Sequence, residues 1–195
     1  MEQRMPQMTR LVALLAAVAV LAGCGAAEEE QPAAAPAAAP AVTVPDGFAA
    51  VEGRDWAIAA PAGFERAPVT AEERPKLTLL STDELPSGLP GQLAIARSAT
   101  SPGDFDASVE VLKAQNRLER ADWALVDERE AEVPGARMAR RVEATYVQPD
   151  GTPVRTIDLI VHSRRGVRYD VFARAPEADF ERLGLAEAID SFRVA

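Results

Sequence analysis

Between Trp123 and Ala173 the chain passes three tight turn signals at short intervals, and this constrains its fold more than any other feature. Pro134-Gly135, Pro149-Asp150-Gly151-Thr152 and Arg164-Arg165-Gly166 separate four segments of strand-like character. Strands joined by so few residues must run antiparallel, because a parallel neighbour needs a crossover of about a dozen residues or more. The four expected strands run from Trp123 to Val133, Ala136 to Val147, Val154 to Ser163 and Val167 to Ala173. Ile157, Leu159 and Val161 fall on one face of the third, and Val167, Tyr169 and Val171 alternate with Arg168 and Asp170 in the fourth.

Shorter apolar runs precede them: Trp56 to Ala60, stopped by Pro61 and the turn Ala62-Gly63, then Leu77 to Leu80, then Gln92 to Ser98. A helix is expected after Ser101-Pro102-Gly103-Asp104, which offers a cap, a first-turn proline and an acid for the positive helix end. Phe105, Val109 and Leu112 supply its apolar stripe, widened by Val111 and Leu118, up to about Arg120. A closing helical stretch covers Glu177 to Ser191 with a break at Gly184, and Phe192 continues the spacing of Leu185 and Ile189. An antiparallel sheet needs its apolar face covered, and the two helices are the available covers. The expected class is α+β: an antiparallel sheet of about six strands flanked by helices.

The N-terminus is of another kind. Arg4 and Arg10 flank a polar start, and Leu11 to Ala22 is an unbroken apolar run. It suits the core of an export signal and is too short for a span of roughly 20 helical residues. It ends in Leu21-Ala22-Gly23-Cys24, which resembles the bacterial lipobox. That resemblance implies a diacylglyceryl thioether on Cys24, cleavage just before it, and often a further acyl chain such as palmitate on the new amine. Cys24 is the chain's single cysteine, so an internal disulfide is excluded. One acyl chain anchors marginally and two or three hold firmly. Residues 1–23 are therefore read as signal peptide, 24–45 as lipidated cysteine and tether, and 46–195 as the globular domain. The tether carries Glu28, Glu29 and Glu30, then Ala/Pro repeats around Pro32, Pro36, Pro40 and Pro45, which favour extended chain.

The formal net charge is -9, and removal of Glu2, Arg4 and Arg10 with the leader makes it more acidic still. Such a surface repels phosphate backbones, so nucleic acid is excluded as a partner. It also leaves the covalent lipid, rather than surface charge, as the membrane link.

Trp56-Ala57-Ile58-Ala59-Ala60-Pro61-Ala62-Gly63-Phe64 resembles the opening strand and turn of PsbP-like domains. Ala188-Ile189-Asp190-Ser191-Phe192-Arg193-Val194 is similar to their closing helix and finish, and Pro134-Gly135-Ala136-Arg137 sits where they begin a long hairpin. Within that group, which includes Mog-type proteins, the chain most resembles the LpqN/LpqT-type lipoproteins of actinobacteria, with the lipoprotein DcrB a further relative. The resemblance implies an antiparallel sheet sandwiched between helices and protein binding without a shared catalytic constellation.

Candidate chemistry is sparse. His162 is the only histidine, and Asp158, two pleats back on the same strand face, is too far to orient it. No Gly-x-Ser-x-Gly elbow or phosphate-cradling glycine loop occurs. Asp104 and Asp106 lack the remainder of a calcium loop and read as helix-start acids, and with one histidine a zinc site is not expected. No catalytic residue, metal or cofactor is assigned. Arg140-Arg141 and Arg164-Arg165 are candidates for a basic contact rim, although strand alternation sends neighbouring side chains to opposite faces. Trp56 and Trp123 read as core or core-edge rings.

The expectation is a monomeric, non-catalytic cell-envelope lipoprotein. It is lipid-anchored to a cell membrane through Cys24, facing outside the cytoplasm, and binds a protein partner there. The alternative is a carrier or sensor of an apolar, lipid-like ligand held between sheet and helix.

Overall fold

A computed structural model of the chain describes residues 39–74, 76–99 and 105–195. Two antiparallel sheets organise them. The larger is formed by β3 (Glu65–Arg66), β4 (Leu77–Glu84), β5 (Pro90–Ala99), β6 (Ala121–Glu130), β7 (Ala136–Val147), β8 (Pro153–Ser163) and β9 (Val167–Pro176). Its order is β3-β4-β5-β9-β8-β7-β6. The four-strand meander inferred from the turns is its contiguous half, β6 to β9, with β5 added beside β9. The central hairpin turn works through Asp150, whose carboxylate accepts the Thr152 N–H at 2.9 Å. Gly151 supplies the positive φ of 87° that this turn requires.

The smaller sheet differs from the expected arrangement. β1 (Phe48–Glu52), β2 (Trp56–Pro61) and β10 (Arg193–Val194) pair in the order β1-β2-β10, apart from the main sheet. All six residues of β2 are buried, so this strand has no solvent face. It serves as a cover for the main sheet, as the fully apolar Trp56–Ala60 run permits. The closing helix divides into α2 (Glu177–Phe180) and α3 (Leu185–Asp190). The break falls at Gly184, in the left-handed region at φ 66°, where an added Cβ would press on the Phe48 ring. Phe180, Leu185, Ile189 and Phe192 pack with Ile58 onto Ile157, Leu159, Val161, Tyr169 and Val171 of the main sheet. Phe192 has no exposed surface and lies near the rings of Trp56 and Tyr169, with centroids at 6.3 and 5.7 Å.

The opposite face is covered by α1 (Phe105–Glu119), which seats Phe105 and Val109, with Leu112 beside them, on Val142 and Ile160. Val111 and Leu118 do not widen this stripe: they are 56% and 87% exposed. At about 100° per residue both lie well over a quarter-turn from the Phe105–Val109–Leu112 line, on the outward side. In their place the inward face of the last two turns carries Lys113 and Asn116, both buried. Lys113 donates to Glu128 on β6 at 2.7 Å. The expected capping residues Ser101 to Asp104 lie outside the described residues.

Candidate interaction surface

Leu21, Ala22, Gly23 and Cys24 lie outside the described residues, so the structure describes the domain and not the anchor. Among the described residues no helix is long and apolar enough to cross a membrane.

The acid–base groups of the domain do not converge. His162 pairs in register with Met138 and lies against Phe105 of α1 in an edge contact, centroids 4.8 Å apart. Its Nε2 is buried without a hydrogen-bond partner, and burial together with the Arg168 cation pushes its pKa down. Asp158 is on the same face with Ile160 between them. Burial raises its carboxyl to about 6, with Arg120 opposing and Asp170 reinforcing the rise. Ser163 belongs to the other face, and its hydroxyl accepts the Val167 N–H at 3.1 Å. Nucleophilic catalysis needs a base that touches the nucleophile and is oriented by a third group, and among the described residues Ser163 and Asp158 do not supply this to His162. Among the described residues no three His, Cys, Asp or Glu side chains gather as a metal site.

The two arginine pairs do not form one rim. Arg140 turns toward α1 and donates to Asp106 at 2.8 Å, whereas Arg141 is buried and donates to Glu143 at 2.8 Å. Glu143 is also bound by Arg155. Alternation along β7 therefore decides this pair. Of the second pair, Arg164 lines a cleft of about 490 Å³ where β6 leaves β7, together with Arg137, Arg193, Glu132 and Asp190. Gly135 at the base of this cleft has φ 84°, and a Cβ there would overlap the Val194 carbonyl oxygen. The β6–β7 connection therefore needs glycine on two counts. Of the tryptophans, Trp56 is buried in the core, and Trp123 on β6 is stacked under the Arg117 guanidinium at 5.0 Å.

Most of the exposed large apolar side chains fall on two elements in contact, α1 and β6. Among the described residues the exposed large hydrophobics are Val44, Val111 and Leu118 on α1, Leu125 and Val126 on β6, and Met138 on β7. α1 lies against β6, so Val111, Leu118, Leu125 and Val126 belong to neighbouring elements. β6 is also an edge strand. Its edge is broken by irregularities between Ala121 and Ala124 and between Leu125 and Asp127, and it carries Asp127, Glu128, Arg129 and Glu130. Bulges and charges of this kind discourage indiscriminate strand addition, so the accessible feature is the side chains of α1 and β6 rather than an open backbone. The sequence did carry a signal for the α1 part: Val111 and Leu118 share one helical phase, opposed to that of Phe105 and Val109.

No family model and no curated protein sequence matches the chain. Solved structures do. The cyanobacterial PsbP of Synechocystis is similar with a TM-score of 0.54 at 12% identity, over 72% of this chain and 87% of that one. The Ran-binding protein Mog1p of Saccharomyces cerevisiae is similar with a TM-score of 0.51 at 12% identity, over 75% and 95% of the two chains. LpqN of Mycobacterium tuberculosis, described as involved in cell envelope biogenesis, gives a TM-score of 0.46 at 14% identity over 80% and 82%. At these identities the first two likenesses speak for the fold alone. The domain thus has the α+β fold shared by PsbP and Mog1p, a mostly antiparallel sheet with few helices.

Proposed function

We propose that this chain is a non-catalytic interaction module, tethered to a membrane outside the cytoplasm by lipid on Cys24, that binds a protein partner through α1 and β6. The observation that carries the reading is the exposure of Val111, Leu118, Leu125 and Val126 on these two elements in contact. The core on the other side of the sheet is closed: Ile157, Phe180, Leu185 and Phe192 have no exposed surface. Large apolar side chains exposed together on a folded domain mark a contact site, and a closed core leaves little room for a lipid-like cargo. That Mog1p is a Ran-binding protein lends the fold a precedent for protein contact. In this reading residues 24–45 are the tether and 46–195 the module.

Two experiments test it. Leu118 is 87% exposed, so Leu118→Glu should leave the urea midpoint within about 0.5 kcal/mol of wild type. The same change should remove the adduct that a photocrosslinker at Val111 forms in intact cells. An adduct that survives Leu118→Glu, or one formed equally from Glu65 on β3, would sink the assignment of this surface. For the anchor, Cys24→Ser should accumulate as precursor or run as soluble protein and take up no labelled lipid. Unchanged lipid labelling would disprove the attachment site.

A further inference from the structure

We propose that a basic cleft beside β1–β2, bounded by Arg54, Arg66, Arg74, Lys76 and Arg97, binds a phosphomonoester group. The chain carries a net charge of -9, yet these five cations line one cleft of about 220 Å³ in which Glu52 is the lining carboxylate. The cations come from distant parts of the sequence. Arg54 is in the β1–β2 turn, Arg66 on β3, Arg74 and Lys76 lie ahead of β4, and Arg97 is on β5. Among the described residues Arg54, Arg66, Arg74 and Lys76 have no ion pair, so four of the five cations that line this cleft are not neutralised by an acid within salt-bridge distance. Glu73, the acid nearest in sequence, is already engaged: its carboxylate accepts the Thr70 hydroxyl at 2.7 Å and the Thr70 N–H at 3.0 Å.

The cleft also has a rigid member. Arg97 grips Asp55 with Nε at 3.2 Å from both carboxylate oxygens and Nη2 at 2.8 Å from Oδ2. Burial pushes the Asp55 carboxyl up, but the Arg97 bond and contact with Tyr169 outweigh it and hold it below its usual range. Tyr169 is a further side-chain partner of both Asp55 and Arg97, so this guanidinium is fixed from behind. Arg66 is steadied in turn by its bond to the Glu52 carbonyl at 3.2 Å. Trp56 and Thr78 complete the lining beside the cations.

The donor set selects the ligand. One arginine fork satisfies a carboxylate, whereas several cations around one cavity match the three terminal oxygens of a phosphomonoester. The volume is below the roughly 300 Å³ at which small-molecule sites usually begin, so the cleft takes a phosphate and little more of its bearer. A soluble phosphorylated metabolite and a lipid headgroup with a terminal phosphate share this chemistry.

The test uses the full lipidated chain in non-ionic detergent, titrated calorimetrically with glycerol 3-phosphate, and with mixed micelles of phosphatidic acid or of phosphatidylglycerol. Saturable binding of glycerol 3-phosphate supports a soluble source. Binding of phosphatidic acid micelles alone supports a headgroup. Either should weaken by roughly tenfold or more in Arg74→Gln/Lys76→Gln, as the loss of charge-assisted hydrogen bonds predicts. Both residues are exposed, so the double variant should unfold as wild type does. Equal binding of phosphatidylglycerol, a phosphodiester, would overturn the proposal in favour of unspecific charge attraction. No binding in any arm, or binding indifferent to the double variant, would also overturn it. The cleft does not include α1 or β6, so none of these outcomes bears on the protein-binding surface.

Discussion

On β8, Ile157, Leu159 and Val161 point to one side of the main sheet and Thr156, Asp158, Ile160 and His162 to the other, and the two sets meet different covers. The first side is closed by β2, α2 and α3 around an apolar cluster from Ile58 to Phe192, with the buried Arg141–Glu143 ion pair on the same face. The second is closed in part by α1, with an apolar cluster of Phe105, Val109, Val142 and Ile160 and polar groups around it. There Asn116 Nδ2, Arg120 Nη1, Thr156 Oγ1 and Asp158 Oδ2 are buried without a hydrogen-bond partner among the described residues. A buried polar group left unpaired costs about 1–3 kcal/mol. The difference teaches where the fold's stability resides. The β2 side supplies most of the apolar burial, and the α1 side bears most of the cost of polar burial, Arg141 Nε being the buried group of the β2 side without a hydrogen-bond partner among the described residues.

The strongest way to break this comparison is at Phe192. Its ring is fully buried beside Trp56 and Tyr169. Truncating such a side chain costs about 3–5 kcal/mol of the roughly 5–15 kcal/mol that holds a domain together. Phe192→Ala should therefore shift the urea midpoint far to low denaturant. A loss below about 1 kcal/mol would mean that the β2 side is not the stabilising one.

Much of that side is legible in the sequence. The turns give antiparallel strands, and alternation on β8 and β9 gives the correct inward residues. Gly184 marks the helix break because only a left-handed residue fits there. What is not legible is pairing across distance. β10 is two residues long, and Val194 pairs with Trp56 from the other end of the domain, so no local pattern announces the small sheet. The basic cleft is hidden for the same reason, since its cations are neighbours only after β3, β4 and β5 align. Arg140 and Arg141 are the reverse case: adjacency in sequence suggests a pair, and the strand period separates them.

The next test is Asp158, on the costly side. Burial raises its carboxyl from 3.8 to about 6, so the folded protein binds this proton more tightly than the unfolded chain does. The contribution is greatest in acid, declines as pH rises from about 4 to about 6, and is constant above that. The span corresponds to a loss on the order of 3 kcal/mol. Asp158→Asn keeps the shape without the charge. It should be more stable than wild type at neutral pH by up to that order, and equal to it near about pH 4. Melts at both pH values decide the matter. A variant less stable at neutral pH would show that the ionised carboxylate is satisfied where it lies, and the two faces would be less unlike than described.

The smallest effect is expected at His162, which sharpens the comparison because its sign with pH is opposite. The imidazole makes an edge contact with Phe105, and such ring pairs contribute about 0.5–1.5 kcal/mol. His162→Ala should cost about that much, more than a freely exposed histidine would and far less than Phe192→Ala. Burial, reinforced by Arg168, holds the His162 pKa below 6.5, so the folded state favours the neutral ring. Its contribution is complete above about pH 6.5 and is lost as pH falls through the lowered value. In wild type this loss is opposite in sign to the gain from Asp158 as pH falls. Removing the histidine should leave the Asp158 gain unopposed, so His162→Ala should show a steeper rise in stability from neutral toward about pH 4 than wild type. Side-by-side urea melts across that range read the slope directly. An unchanged slope would mean that the ring titrates as it does in the unfolded chain, and its place beneath α1 would then be a contact without electrostatic consequence.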